Sequence, residues 1–204
     1  MIAIIDYGAG NIQSVNKALR HIGCDTIITR DKEQILKAEG AVLPGVGSFG
    51  DTMNTINSYG IKDTVIEYTK SGKPFLGICL GLQLLFPASE ESPEAEGLSI
   101  FDGTITKIPS GEGLKIPHIG WNSLDIKKTE GLFKGLEQNP YVYFVHSYFL
   151  NASDKGIVSA QTQYGVTIDA AIEKGNVFAT QFHPEKSGET GLKILKNFAD
   201  IVKG

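Results

Sequence analysis

Three side chains in this sequence have the types and surroundings that nucleophilic catalysis requires. Cys79 stands between glycines in Gly77-Ile78-Cys79-Leu80-Gly81, and far downstream His183 and Glu185 lie two apart in Gln181-Phe182-His183-Pro184-Glu185-Lys186-Ser187. Gly-x-Cys-x-Gly is the cysteine counterpart of the G-x-S-x-G elbow, a sharp strand-to-helix turn that projects its central side chain clear of the backbone. Glycines flank it because neighbouring Cβ atoms would clash in so tight a bend. A thiol at a helix start sits among unpaired N–H groups that favour the thiolate. The N–H of Leu80, next in the chain, can donate to an oxyanion. Pro184 pushes His183 toward extended backbone, where Glu185 can reach the imidazole as an orienting group for a base. Cysteine also packs as a small buried hydrophobe, and for Cys79 that alternative stays open on the elbow alone. His21, on the first helix, reads as structural.

An elbow needs a strand before it and a helix after it. Phe75 to Ile78 supplies a short buried strand, and Gln83-Leu84-Leu85-Phe86 continues as a helix that Pro87 is expected to end. Upstream, Ile2 to Ile5 is a continuous apolar run, as in a strand buried on both faces of a parallel sheet. Ile12, Val15, Leu19 and Ile22 fall at helical spacing, and Gly23 ends that helix. Thr26 to Thr29 is a second strand, Asp31 begins a short helix, and Gly40 to Leu43 is a third strand. Further helices run through Met53, Ile56 and Tyr59 and from Gly60 to Ser71. This rhythm predicts a doubly wound α/β sheet with ligands outside the carboxyl ends of its strands.

Two loops at those ends could serve a site. Gly8-Ala9-Gly10 holds the first two glycines of a dinucleotide fingerprint, with Asp31 near the place of a ribose acid, but Gln13 replaces the third glycine and the signal is weak. Pro44-Gly45-Val46-Gly47-Ser48-Phe49-Gly50 is either a plain turn or a run of bare N–H groups suited to an anion. With a nucleophile on the next strand, it becomes the natural second oxyanion donor. Residues 87 to 97 form an acidic, proline-punctuated loop from which one acid could meet a substrate amine. From Leu98 to Gln181 the runs are short and β-rich, which predicts a mixed sheet with antiparallel additions in a single domain spanning residues 1–204. Pro117 to Asn122, with the only tryptophan, Trp121, reads as a loop, its indole either partly buried packing or an interface anchor. Ser187 can cap the last helix, whose apolar face is Leu192, Leu195, Phe198, Ala199 and Val202.

A chain of 204 residues is long enough for a substantial core. Hydrophobic residues at 41% and charged ones at 21% are ordinary for a soluble protein. A net charge of −4 leaves no basic footprint for nucleic acid. Two cysteines make neither a disulfide framework nor a zinc cluster, and they fit a reducing compartment. The N-terminus lacks a basic n-region and reads as a first strand, and no apolar run approaches transmembrane length. The expectation is a cytoplasmic protein that requires no metal or cofactor.

Nucleophile Cys79, base His183 and orienter Glu185, in that chain order, resemble the class I glutamine amidotransferase family. Asp6 to Asn11, Pro44 to Phe49, Ile119 to Asn122 and Tyr143-Phe144-Val145-His146-Ser147-Tyr148 look, more narrowly, like the branch of glutaminase subunits serving imidazole glycerol phosphate synthesis. The resemblance implies a flavodoxin-like, mostly parallel sheet and hydrolysis of L-glutamine to glutamate and ammonia. It implies an oxyanion hole from Leu80 and the Gly45-Val46 peptide, and glutamine contacts at Gly47, Gln83, Glu91, His146, Ser147 and Tyr148. It further implies a heterodimer with a (β/α)₈-barrel cyclase that receives the ammonia, with Asn11, Trp121 and Lys186 at the contact. A glutaminase feeding another synthase, a cysteine hydrolase of peptide or γ-glutamyl substrates and a silent binding module are the competing readings.

Overall fold

A computed structural model describes residues 1–8, 11–111 and 113–204. Ala9 and Gly10, part of the glycine turn weighed above for nucleotide binding, lie outside the described residues. The chain begins with β1 (Ile2–Ile5), α1 (Ile12–His21), β2 (Thr26–Thr29), α2 (Lys32–Lys37), β3 (Gly40–Gly45), α3 (Phe49–Ser58) and α4 (Lys62–Lys70). It continues through β4 (Phe75–Cys79), α5 (Leu80–Gln83), β5 (Ala88–Ser89), β6 (Gly103–Lys107), β7 (His118–Ser123) and β8 (Asp125–Ile126). The last part holds β9 (Tyr141–His146), β10 (Tyr148–Ala152), β11 (Val158–Tyr164), β12 (Val166–Lys174), β13 (Val177–Thr180) and α6 (Gly188–Lys203). Among the described residues no helix is long and apolar enough to cross a membrane.

The main sheet runs β2-β1-β3-β4-β13 with every neighbour parallel, then turns antiparallel through β12, β10 and β6. This is the doubly wound, flavodoxin-like order with antiparallel additions that the sequence predicts. Successive side chains of a strand point to opposite faces, so Ile5, Leu43 and Phe75 enter one core layer while Ile4, Val42 and Leu76 enter the other. The first layer packs under α3 and α4 through Phe49, Met53, Ile56, Val65 and Tyr68. The second packs under α1 and α6 through Ile12, Val15, Leu19, Leu195 and Phe198. Burial on both faces is why these strands read as unbroken apolar runs.

Three sequence expectations are corrected. Pro117 to Asn122 is not a loop: residues 118–123 form β7, which pairs antiparallel with β9 in a separate two-stranded sheet. The elbow helix does not run on through Phe86. It stops after one turn, because the carbonyls of Leu84 and Leu85 are taken by the N–H groups of Leu98, Ile100 and Phe101. Single turns continue as far as Phe86, whose N–H donates to the Gln83 carbonyl, and the Pro87 carbonyl accepts from Gly97. Ser187 does not cap α6 with its side chain. Its hydroxyl instead donates to the His183 carbonyl at 2.7 Å and accepts from the Tyr143 N–H at 2.9 Å.

The elbow is made by close approach. A Cβ on Gly81 would lie 1.9 Å from the Leu43 carbonyl oxygen of β3, and one on Gly77 would lie 2.7 Å from the Gly81 carbonyl oxygen. Neither neighbour is a flexible side chain that could swing away. Gly81→Ala should lower stability by about 1–3 kcal/mol, the usual cost of overpacking. Urea unfolding checks this, and an unchanged midpoint would mean that α5 does not press on β3.

Candidate active site

Cys79 ends β4 at φ 56°, ψ −109°, a backbone conformation that non-glycine residues adopt only when the surroundings impose it. The turn throws its side chain into a cavity of about 280 Å³ that also exposes His183, Leu80, Val46 and Gly47. The sulfur lies 3.7 Å from the Gln181 side-chain nitrogen and 4.0 Å from the Val145 carbonyl oxygen. Because α5 has four residues, it gives the thiolate far less dipole support than the longer helix expected from sequence.

His183 comes from the segment just past β13, and β9 fixes its backbone on both sides. Its N–H donates to the Tyr143 carbonyl at 3.0 Å, while its own carbonyl is held through Ser187 to the Tyr143 N–H. Its Nδ1 is 2.8 Å from Glu185 Oε1, with both side chains at 1% exposure or less. Nδ1–H therefore donates to the carboxylate, and Nε2, which has no partner among the described residues, is left to the cavity. Burial alone would push the imidazolium pKa down. The Cys79 sulfur and the Glu185 carboxylate outweigh it and raise His183 to about 9. His183 can thus hold a proton at neutral pH, facing the cavity from Nε2.

The remaining predicted residues are brought to the same cavity. Gln83 donates to the Tyr148 carbonyl and to Gln181 Oε1, both at 3.0 Å, so its remaining polar atom for a ligand is Oε1. Glu91 lines the wall and accepts from the Phe49 N–H at 2.8 Å, so the acidic loop is tied to the start of α3. His146, Ser147 and Tyr148 form the opposite wall where β9 passes into β10. Gly45 lies directly opposite Cys79 in the β3–β4 register. The Tyr7 hydroxyl donates to the Pro44 carbonyl at 2.8 Å.

Of the three residues expected at a partner contact, Trp121 is 55% exposed and Lys186 is exposed. Asn11 is half-buried, and its side-chain amide donates to the Glu185 carboxylate. Sequence reasoning missed Gln181, Tyr7 and His118. Gln181 was legible as part of the run that carries His183. His118 carried no signal, because its partners come together only in the fold. His146 donates from Nδ1 to the Tyr148 carbonyl, so its Nε2 accepts from His118 Nδ1–H at 3.0 Å. Burial pulls His118 down to about 4 and His146 to about 3, which keeps this wall uncharged at neutral pH.

The family model of class I glutamine amidotransferases matches residues 3–202. The chain belongs to this family. Among amidotransferase relatives, imidazole glycerol phosphate synthase subunit HisH of Caldanaerobacter subterraneus is 53% identical over 203 residues, covering 100% of this chain and 99% of that protein. Subunit HisH of Methanosarcina barkeri is 49% identical over 202 residues, covering 98% of both chains. A solved structure described as a glutamine amidotransferase superposes with a TM-score of 0.78 at 19% identity, covering 100% of both chains, and shares the fold.

The raised His183 pKa has a definite sign. Proton binding to the folded state adds stability that is complete below the unfolded value of about 6.5 and is lost as pH rises through about 9. Unfolding midpoints should therefore fall across that window. Glu185→Gln, which removes one of the two raising partners, should move the His183 imidazole NMR titration to lower pH. A midpoint that stays put would exclude the carboxylate as a cause.

Proposed function

We propose that this chain is the glutaminase subunit of an imidazole glycerol phosphate synthase, hydrolysing L-glutamine and delivering ammonia to a cyclase subunit in histidine biosynthesis. The observation that carries this reading is the meeting of Cys79 and His183 at one cavity whose walls hold Gln83 and Glu91, with Glu185 hydrogen-bonded to His183 from behind. Full-length similarity to HisH subunits supports the choice of synthase.

In the reaction, the Cys79 thiolate attacks the side-chain amide carbon of glutamine and forms a tetrahedral intermediate. The Leu80 N–H and the Gly45-Val46 peptide hold the oxyanion, each donor being worth about 10²–10³ in rate. As the C–N bond breaks, His183 gives its Nε2 proton to the nitrogen, which leaves as ammonia. His183 then takes a proton from water, whose oxygen attacks the thioester to release glutamate and restore the thiolate. Glu185 holds the imidazole orientation and stabilises its charged form. Glu91, through the carboxylate oxygen not bound to Phe49, meets the substrate α-amino group, and Gly47, Gln83, His146, Ser147 and Tyr148 complete the glutamine site.

The partner in this reading is a (β/α)₈-barrel cyclase that docks on the β7–β9 face. Ile119, Trp121 and Tyr141 are 58%, 55% and 60% exposed there, an apolar display that fits an interface core. The face adjoins the site: the Trp121 ring approaches Gly188, next to the His183–Ser187 segment that carries Lys186. A cytoplasmic setting is part of the proposal and is consistent with two free thiols, Cys24 and Cys79.

Cys79→Ala should lower glutamine-dependent synthesis in the complex at least about 10³-fold. Synthesis from added ammonium should be unaffected, because the variant leaves the partner intact. Equal loss of both activities would overturn the assignment.

A further inference from the structure

Gln181 is fully buried and takes no part in lining the cavity, yet its side-chain nitrogen lies 3.7 Å from the Cys79 sulfur. It therefore meets the sulfur from the protein side and leaves the cavity side to a substrate. The Val145 carbonyl, at 4.0 Å, can accept from a thiol but has no proton to give a thiolate. Because α5 is a single turn, its dipole does little for charge on that sulfur. A fixed amide N–H behind it supplies what the short helix lacks.

Which end of the Gln181 amide faces the sulfur follows from its neighbours. The Tyr148 carbonyl can only accept, so the Gln83 atom 3.0 Å from it is the NH₂ group. The same NH₂ lies 3.0 Å from the far end of the Gln181 amide, which must then be the oxygen. The Gln181 NH₂ is left aimed at Cys79. Turning the amide over would set two NH₂ groups against each other and an oxygen against the sulfur. The Gln181 backbone is fixed as well, its N–H donating to the Ala170 carbonyl of β12 at 2.8 Å. We propose that Gln181 is a catalytic residue whose side-chain N–H donates to the Cys79 sulfur whenever that atom carries charge. It does so before attack on the amide carbon, and again when the thioester C–S bond breaks and its electron pair returns to sulfur. This rests on the reading above that Cys79 is the nucleophile for glutamine.

Gln181→Met fills a similar volume without a donor. In the complex with the cyclase subunit, kcat/KM for glutamine at neutral pH should fall about tenfold, the lower range for a hydrogen bond to a charged partner. Iodoacetamide labelling of Cys79, followed on its own peptide by mass spectrometry to keep Cys24 apart, should show its pH–rate profile displaced by about one unit to higher pH. This readout separates the proposal from a structural role, because Gln181 also holds Gln83. An unmoved labelling profile would overturn the proposal, and a raised KM beside it would leave Gln181 only the task of orienting Gln83. A displaced profile with kcat/KM unchanged would also overturn it, since the contact would then play no part in turnover. If Gln181→Met does not fold, wild type decides the matter by NMR. The Gln181 side-chain N–H resonances should shift with pH along the labelling profile and stay still in Cys79→Ala, and resonances that ignore that profile would overturn the proposal. The underlying reading fails separately, when wild type in the complex releases no more ammonia from glutamine than Cys79→Ala.

Discussion

The site depends on the contact between α5 and β3, where the backbone at Gly81 lies so close to the Leu43 carbonyl that no side-chain carbon fits between them. That approach forces the chain to reverse within one residue, and Cys79 absorbs the reversal in a backbone conformation that costs on the order of 1–3 kcal/mol. The strain persists because β4 is locked on both sides. Phe75, Leu76 and Ile78 are buried, each worth about 1.5–3 kcal/mol against exposure, and β3 and β13 hydrogen-bond along its two edges. The direction of the Cys79 side chain, the Leu80 N–H and the distance to the Gly45 loop are thus set by one packing contact in the middle of the sheet.

The histidine is positioned by a different device. Past β13 the backbone leaves the main sheet and is caught by β9 of the small sheet, through a direct hydrogen bond at Tyr143 and a second one relayed by the Ser187 hydroxyl. Two sheets therefore meet at the site, one carrying the sulfur and the other steadying the imidazole. Serine suits that relay because its hydroxyl can donate to one backbone group while accepting from another.

Much of this was legible in the sequence where the signal is local. Unbroken apolar runs marked β1, β3 and β4, and the glycines around Cys79 marked the turn, because each reflects a steric demand on neighbouring residues. The stop of the elbow helix after Gln83 was not legible. Gln83-Leu84-Leu85-Phe86 is helix-forming on its own, and its carbonyls are claimed by residues 98–101, which approach only in the folded chain. Pro117 to Asn122 misread as a loop for a related reason. Its proline and glycine suggest a turn, but His118 gains a stacked Phe144 on one face and Tyr164 on the other only once β7 pairs with β9. Ser187 carried a cap signature, and a stronger tertiary partner claimed it.

The turn after β1 ties these devices together. From its described ends, Tyr7 reaches the Pro44 carbonyl on the Cys79 side of the site, and Asn11 reaches the Glu185 carboxylate on the His183 side. Asn11 sits at φ 72° and precedes α1, which packs against α6, so its side chain is held in place by the helix layer under the sheet. Glu185 Oε1 accepts from both Asn11 and His183. A displacement of Tyr7 and Asn11 together would therefore act on the Glu185 carboxylate that holds His183 and on the Pro44 carbonyl at once. The two halves of the site, carried by distant parts of the chain, are coupled through a short segment that belongs to neither.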